Sequence, residues 1–221
     1  MTIQTKPIDL YNNATPNGRK ITIMLEELGV PYVIHYLWFS KRMQHTPEFS
    51  KISPNNKIPA IVDPEGPGGE PISIFESGAI LKYLARKFDR LYPADWRAQV
   101  KVDEWLFWQV GGFGPFLGQA HHFIHDAPER LPYAIKRYKD EAARLYTVLN
   151  GQLEGREFVA GDYSIADIAI FGWANRHRRH EIDLPDYPNV HRWYDMMMAR
   201  PAVIRGLEAA KEPKDQSVPV T

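Results

Sequence analysis

A glutamate and a serine stand where a short apolar strand is followed by a helix, in the segment FESGAI at 75–80. The first N–H groups of a helix lack partners within it and lie at the positive end of its dipole, so they attract a carboxylate. Ser77 adds a hydroxyl donor, and Glu76 can hold an ammonium group. The pair suits a ligand with both an amine and a carboxylate, such as a free amino-acid terminus. The alternative is ordinary capping of the helix by Ser77 or Glu76.

Pro59 stands at the start of a short apolar run, in the segment SPNNKIPAIVD at 53–63. Because proline has no N–H to donate to a sheet ladder, it belongs at a sheet edge or in a special turn. In a thioredoxin-like fold a proline at this point is commonly cis. The N–H and C=O of Ile58 then face outward, where an extended peptide ligand can pair with them. The alternative is an ordinary turn proline.

The segment YNNATPNGRKITIMLEEL at 11–28 combines the end of a strand, a polar turn and the start of a helix. Many redox proteins keep a reactive cysteine at such a junction, but this chain contains no cysteine. That composition excludes disulfides, cysteine-ligated zinc and a protein thiol nucleophile. Any thiol chemistry must therefore use a thiol that a ligand brings.

Two histidines have a spacing compatible with a shared metal ion. His121 and His125 are four residues apart in HHFIH, which places them on one helix face. The glutamate of an H-E-x-x-H motif is missing and no third ligand accompanies the pair, so we expect no metal site.

A capping box is predicted at Ser164 and Asp167, in DYSIADIAI at 162–170. A serine followed three residues later by an acidic residue, just before an apolar run, is typical of a helix start. We interpret this motif as structural.

The first 90 residues alternate strand-like and helix-like patterns. Short β-branched or apolar runs predict strands at 8–13, 31–38, 57–63 and 70–75, and apolar residues at helical spacing predict helices at 19–30, 46–52 and 76–88. Within these, we expect Gly29 to cap the first helix and Thr46 to start the second. The order β-α-β-α-β-β-α predicts a thioredoxin-like α/β domain.

The second half of the chain shows no convincing strand pattern. Helical patterns lie at 98–125, 129–153, 164–179, 188–199 and 201–211. We therefore expect a thioredoxin-like N-terminal domain at 1–90, a linker at 91–96 and an all-α C-terminal domain at 97–221. The tail at 212–221 is expected to be loose or to lie on the surface.

Composition limits the classes of partner. Lys plus Arg and Asp plus Glu both number 27, so the net charge is zero and gives no electrostatic case for nucleic acid or an anionic membrane. No apolar run approaches the length of a membrane span, and the N-terminus has no signal-peptide pattern. These features predict a soluble, cytoplasmic protein.

The proline strand, the Glu-Ser helix start and the Ser-x-x-Asp box, in this order, resemble the glutathione transferase superfamily over essentially the whole chain. The blocks TPNGRKITIMLEE, ISPNNKIPAIVD, SIFESGAILKYLA, WLFWQVGGFGPFLGQAHHF and PYAIKRY closely resemble the bacterial nu-class enzymes. Members of that class are described as disulfide-bond oxidoreductases, and they are similar to a yeast nitrogen regulator that forms a prion. The Gln/Asn-rich prion segment of that regulator has no counterpart in this sequence.

The resemblance implies that Thr15 and Asn17 handle the sulfur of glutathione. The physics agrees, because a thiolate is stabilised by hydrogen-bond donors and by the positive end of a helix. The Thr15 hydroxyl and the Asn17 amide can both donate. Thr15 can instead be the N-cap of the helix, and Tyr11, near the end of the strand, leaves a tyrosine-type site to be checked.

The resemblance also implies how the rest of glutathione binds. Glu76 and Ser77 are expected to take the γ-glutamyl amine and carboxylate. Ile58, just before Pro59, is expected to pair with the cysteinyl backbone.

Four further contacts follow from the same resemblance. Lys57 and Gln44 are expected near the glycyl carboxylate, where a lysine acts as a point charge. Arg137 matches an arginine that reaches the site in this class, from its own subunit or from the partner subunit. Lys20, one turn into the first helix, can assist; the alternative is a solvated surface lysine.

The resemblance favours a glutathione-dependent disulfide reductase that binds two glutathione molecules, or glutathione disulfide, without a metal. Its substrate would be a small disulfide, and the fold implies a homodimer. Two alternatives use the same glutathione site: a transferase that conjugates glutathione to small electrophiles, and a regulator that binds glutathione without catalysis.

Overall fold

The structure, a computed structural model, describes residues 4–213. Backbone contacts divide the chain into two compact units, one formed by the residues up to Arg90 together with those from Pro201 onward, and one formed by Leu91–Arg200. None of the helices in the described part is long and apolar enough to cross a membrane. Most of the tail expected to be loose, from residue 214, lies outside the described residues.

The first unit contains a four-stranded mixed sheet. Its strands are β1 (Ile8–Asn12), β2 (Tyr32–Tyr36), β3 (Ala60–Asp63) and β4 (Ile72–Phe75), in the order β2-β1-β3-β4. Strand β1 is parallel to β2 and antiparallel to β3, and β3 is antiparallel to β4. The helices are α1 (Pro16–Leu28), α2 (Pro47–Ile52) and α3 (Ser77–Phe88). The order β1-α1-β2-α2-β3-β4-α3 confirms the predicted thioredoxin-like α/β fold.

The caps predicted for the first two helices are present. The Oγ1 atom of Thr15 accepts a hydrogen bond of 3.1 Å from the backbone N–H of Gly18, and Pro16 takes the first helical position of α1. Gly29 ends α1 in the left-handed conformation, with φ of 68°. Thr46 caps α2 in the same manner as Thr15 caps α1.

A buried carboxylate joins the β3–β4 connection to α3. Asp63 is fully buried and accepts hydrogen bonds from Lys87 at 2.5 Å, Tyr83 at 2.6 Å and the backbone N–H of Glu65 at 2.9 Å. Burial alone would raise the pKa of Asp63, but these hydrogen bonds outweigh burial and lower it. The ammonium group of Lys87 also donates to Gln4, so the buried carboxylate and the lysine that contacts it are both paired.

The second unit is helical, as predicted. Its helices are α4 (Trp96–Trp108), α5 (Gly114–His121), α6 (Pro132–Gln152), α7 (Ile165–Ala174) and α8 (Pro188–Met198). The helix predicted at 98–125 contains a π-helical turn at Gln109–Phe113 and ends in another at His122–Asp126. The helix predicted at 164–179 stops at Ala174 and is followed by a 3₁₀ turn at His177–His180.

The predicted capping box at the start of α7 is confirmed. Ser164 and Asp167 exchange the two hydrogen bonds that define it. The fully buried Asp167 also accepts from the Val159 N–H and the Trp193 indole, each at 3.0 Å. Burial raises the pKa of Asp167 to about 6, against the opposing effect of these hydrogen bonds. The carboxylate therefore connects α7 to the preceding loop and to α8.

A last helix, α9 (Pro201–Ala209), groups with the first unit. It packs on α1 so closely that a Cβ atom at Gly206 would lie 2.6 Å from the Cα of Ile23. The packing thus groups α9 with the sheet, whereas the expected domain limits placed it in the all-α part. The domain boundaries expected from the sequence, at 1–90, 91–96 and 97–221, stay a prediction.

We predict that Gly206→Ala lowers the free energy of unfolding by about 2 kcal/mol, because the added methyl group forces α9 away from α1. The midpoint of urea unfolding measures the change. Gly151→Ala is the matched control: Gly151 lies in α6 with open space around it, so alanine should stabilise the helix by about 0.5–1 kcal/mol. Equal stability of the two variants would contradict the close packing of α9.

Candidate functional site

Strand register brings three chain turns to one edge of the sheet. Ala60, the first residue of β3, lies between Tyr11 of β1 and Phe75, the last residue of β4. The turn before α1, the residue before Ala60 and the residue after Phe75 therefore all lie at this edge. The candidate site residues of β1–α1, β3 and β4–α3 are brought together in this way.

Thr15 immediately precedes α1, Asn17 lies in its first turn, and both side chains are half-buried. The alternative role of Thr15, as N-cap of α1, is confirmed by its hydrogen bond from Gly18. That bond uses a lone pair of the hydroxyl oxygen, so the hydroxyl hydrogen can still be donated to a ligand. Gly18 itself has no room for a side chain, because a Cβ atom would lie 2.5 Å from the carbonyl oxygen of Asn13.

Pro59 is buried, and the Ile58–Pro59 peptide bond is cis, as expected. The half-buried side chain of Ile58 packs against the apolar cluster around Leu37 and Phe49. Among residues 4–213, the backbone N–H and C=O of Ile58 take part in no backbone hydrogen bond. These two groups can therefore pair with a ligand backbone.

Glu76 occupies the N-cap position of α3, but its side chain makes no capping hydrogen bond. Its φ of 70° is uncommon for a residue with a side chain, and such conformations concentrate at functional sites. The carboxylate is exposed, whereas Ser77 beside it is buried. Capping by the Glu76 side chain, the ordinary alternative, is therefore absent.

Lys20 is buried, with 1% of its surface exposed, so the alternative of a solvated surface lysine is wrong. Its ammonium group donates a 3.2 Å hydrogen bond to the Oγ atom of Ser77, which links α1 to the head of α3. Burial lowers the pKa of Lys20 to about 7, and the charge of Glu76 opposes this shift. Lys20 adjoins Ile21, which begins a run of residues buried on all sides of α1.

The two residues expected at the glycyl carboxylate differ in exposure. Gln44 lies in the short helical turn Met43–His45, and its Oε1 atom is buried with no hydrogen-bond partner in the described part of the chain. Lys57 is exposed, and its backbone carbonyl accepts a 2.9 Å hydrogen bond from Ser53. The buried oxygen of Gln44 can accept a hydrogen bond from a peptide ligand, and the exposed ammonium group of Lys57 can attract a carboxylate of that ligand.

Tyr11 does not have the environment of an activated phenol. Its ring stacks on His35, with centroids 4.8 Å apart, and packs against Phe49. Burial, and then the charge of Asp9, raise the pKa of Tyr11. The phenolate form is thus disfavoured, and the role of Thr15 at the sulfur stays a prediction.

Arg137 belongs to the second unit, on an exposed position of α6. It lines an open cavity of about 560 Å³ together with aromatic and charged side chains, among them Phe116, Tyr133 and Arg144. Its expected role at the glutathione site stays a prediction.

His121, in HHFIH, lies near a buried histidine outside that motif, His180. The ring centroid of His121 is 5.4 Å from that of His125 and 6.4 Å from that of His180. No group of three or more residues within 4–213 has an arrangement that could hold a metal ion. Both ring nitrogens of His180 are buried without a hydrogen-bond partner among these residues. Burial, followed by the charges of His121 and Arg176, lowers the pKa of His180 to about 3.

Two family models match this chain. Residues 14–87 match the glutathione S-transferase N-terminal domain, and residues 115–201 match the glutathione S-transferase C-terminal domain. The chain therefore belongs to the glutathione S-transferase family. The disulfide-bond oxidoreductase YfcG of Escherichia coli (strain K12) is 52% identical over 206 residues, which are 92% of this chain and 96% of YfcG.

Solved structures give the same result. A glutathione transferase family member from Pseudomonas fluorescens, with two glutathione bound, has a TM-score of 0.88 at 46% identity and covers 91% of this chain and 92% of its own. A glutathione transferase from Pseudomonas putida, with one glutathione disulfide bound per subunit, has a TM-score of 0.87 at 42% identity, with 91% coverage of both chains. These matches confirm the predicted glutathione transferase fold.

We predict that His180→Phe flattens the pH dependence of stability below pH 6.5. The unfolded chain binds a proton on His180 near pH 6.5 and the folded chain only near pH 3, so the folded state loses stability as pH falls. At pH 5 the loss is about 2 kcal/mol, from 1.36 kcal/mol per pH unit. Protonation of Asp167 stabilises the folded state as pH falls from about 6 to 4, the opposite effect. This contribution is the same in wild type and in His180→Phe.

Urea unfolding of wild type and variant at pH 7 and pH 5 measures this difference. His122→Gln, which removes an exposed imidazole from the same segment, should keep the wild-type pH dependence. An unchanged dependence in His180→Phe would contradict the buried neutral state of His180.

Proposed function

We propose that this protein reduces small disulfides with glutathione, by thiol–disulfide exchange between substrate and bound glutathione. The observation that carries the proposal is the convergence, at one sheet edge, of the capped turn before α1, the cis Ile58–Pro59 bond and the head of α3. These elements offer hydrogen-bond donors, the positive end of a helix dipole and the backbone N–H and C=O of Ile58, but no protein thiol. The name of the relative YfcG, a disulfide-bond oxidoreductase, supports this choice of reaction.

In this proposal Thr15 and Asn17 stabilise the glutathione thiolate. The Thr15 hydroxyl keeps a hydrogen to donate, and Asn17 lies in the first turn of α1, where the dipole is positive. Both effects favour the ionised sulfur, which is the nucleophile in disulfide exchange.

The remainder of glutathione is placed along the same edge, in the domain proposed for residues 1–90. Glu76 takes the γ-glutamyl ammonium with its exposed carboxylate, and Ser77 and the helix N-terminus take the γ-glutamyl carboxylate. Ile58 pairs with the cysteinyl backbone. Lys57 attracts the glycyl carboxylate, and the buried acceptor of Gln44 gains a donor from the ligand.

The reaction balances with two glutathione molecules. The first thiolate attacks one sulfur of the substrate disulfide, the substrate S–S bond breaks, and the departing thiolate takes up a proton. The second glutathione thiolate attacks the resulting mixed disulfide, which releases the other substrate thiol and glutathione disulfide. Two electrons pass from the glutathione thiols to the substrate. The similar structures that hold two glutathione, or one glutathione disulfide, support a site of this capacity.

The homodimer, the cytoplasmic location and the contribution of Arg137 stay parts of this proposal. Arg137 is exposed on α6, where its guanidinium group is available to a ligand carboxylate of its own or the partner subunit.

We predict that Thr15→Ala lowers kcat/KM for hydroxyethyl disulfide by about ten- to a hundredfold, because a hydrogen bond to a charged sulfur is lost. Asn17→Ala should have an effect of similar size. Production of glutathione disulfide, followed through a coupled reductase, gives the rates.

Two controls separate sulfur chemistry from helix capping. Thr15→Ser keeps both the cap and the donor, and should retain most activity. Asp95→Ala removes a comparable cap from α4, where Asp95 accepts from the Ala98 N–H, and should leave turnover unchanged. A parallel assay with an aryl halide decides the alternatives: turnover of the halide alone favours a conjugating transferase, and glutathione binding without either reaction favours a regulator.

We predict that Glu76→Gln raises KM for glutathione about tenfold while kcat changes little, since the charge partner of the γ-glutamyl ammonium is lost and the sulfur site is intact. Glu70→Gln, at another exposed glutamate of the same unit, should match wild type. An unchanged KM in Glu76→Gln would refute the placement of the γ-glutamyl group at α3.

A further inference from the structure

The bond between Lys20 and Ser77 connects a buried charge to the residue proposed to hold the γ-glutamyl carboxylate. Lys20 lies in α1 with 1% of its surface exposed, and its Nζ atom is 3.2 Å from the Oγ atom of Ser77. Ser77 is the first residue of α3 and is itself only 6% exposed. A lysine buried behind a helix N-terminus is unusual, because burying an ammonium group is costly.

An ammonium group can only donate hydrogen bonds, whereas a hydroxyl donates one and accepts two. When Lys20 is charged, the Oγ atom of Ser77 must accept from it, and the Ser77 hydrogen is left to point elsewhere. When Lys20 is neutral, its nitrogen can accept instead, and the Ser77 hydrogen can turn toward it. The charge on Lys20 therefore sets the direction of the Ser77 hydroxyl.

We infer that Lys20 is a positioning residue, whose ammonium group holds the Ser77 hydroxyl so that it donates to the γ-glutamyl carboxylate of glutathione. This inference rests on the proposed function, since it concerns the same glutathione site. The ammonium group of Lys20 also places a buried positive charge behind that carboxylate. Neither the helix dipole nor Ser77 supplies a full charge there.

The electrostatic surroundings leave Lys20 sensitive to a bound anion. Burial lowers the pKa of Lys20 to about 7, and Glu76, at the head of α3, acts in the opposite direction. Both α3 and α9 pack on α1. The other charged residues of these two helices are Lys82, Arg86 and Lys87 on α3, and Arg205 and Glu208 on α9. Lys87 pairs with Asp63 and Arg205 with Glu26.

A carboxylate bound at Ser77 must then raise the pKa of Lys20, so binding takes up a proton. Near pH 7, Lys20 is protonated in about half of the ligand-free molecules. Binding of the carboxylate would then protonate Lys20 in the remaining molecules. The linkage predicts the uptake of about half a proton per ligand at pH 7. A lysine that only fills space would produce no such uptake.

The probe is S-methylglutathione, which keeps both carboxylates and the amine but has no thiol that ionises. Calorimetric titrations at pH 7 in buffers of different ionisation enthalpy give the number of protons taken up. We expect about half a proton for the wild type and none for Lys20→Met, which keeps the side-chain length without the charge. From pH 6 to pH 8 the affinity should fall about tenfold in wild type and stay constant in Lys20→Met.

Lys87→Met is the matched control, because it removes another ammonium group of the same unit, which contacts Asp63 rather than Ser77 and whose side chain is 10% exposed. It should lower stability and keep the proton uptake. Ser77→Ala, alone and combined with Lys20→Met, tests whether Lys20 acts through Ser77. If it does, the double variant should lose less affinity than the sum of the losses in the two single variants.

Each outcome has a separate meaning. Wild type that binds without proton uptake, or Lys20→Met with the same uptake as wild type, overturns the inference and leaves the proposed function intact. Fully additive losses overturn the action through Ser77. Failure of the wild type to bind S-methylglutathione would instead remove the proposed glutathione site, and this inference with it.

Discussion

The register of β3 between β1 and β4 is the constraint on which the candidate site depends. With Ala60 opposite both Tyr11 and Phe75, the chain must turn into α1, enter β3 and turn into α3 at one sheet edge. Ala60 and Ile61 are consecutive residues of β3, so their side chains point to opposite faces of the sheet, and both are fully buried. Packing on both faces of β3 therefore holds this strand, and with it the site, in place.

At this edge, two hydroxyl groups that already accept hydrogen bonds within the fold keep a hydrogen to donate. The Thr15 hydroxyl accepts from α1 with a lone pair and retains a hydrogen, and the Ser77 hydroxyl accepts from Lys20 and retains one as well. In the proposed site, these two hydroxyls would donate to the glutathione thiolate and to a carboxylate. Glu76 is different, since its side chain caps nothing and its backbone has an uncommon conformation.

Local patterns predicted most of the fold, and the candidate residues followed from local motifs together with the family resemblance. The caps at Thr15, Thr46 and Gly29 follow from residue type and position, and the strands follow from β-branched runs between turn residues. The burial of Lys20 did not follow, because the neighbours that cover α1 are distant in sequence. The pair of Arg205 with Glu26, which joins α9 to α1, spans 179 positions. No local pattern contains that information, and the same holds for the burial of His180.

A comparison of the buried Lys20 with Lys87, whose side chain is 10% exposed, shows what suits Lys20 to the proposed binding role. Lys87 donates to the Asp63 carboxylate and to two further oxygens, so its charge is balanced within the fold and binding elsewhere does not alter it. The bond from Lys20 to Ser77 goes to a neutral oxygen, and burial holds its pKa close to neutrality. A carboxylate bound at the head of α3, as proposed, would add a further negative charge near the Lys20 ammonium group, whose charged form the nearby Glu76 already favours. The position of Lys20 behind this helix end would therefore couple its protonation to ligand binding in the proposed site.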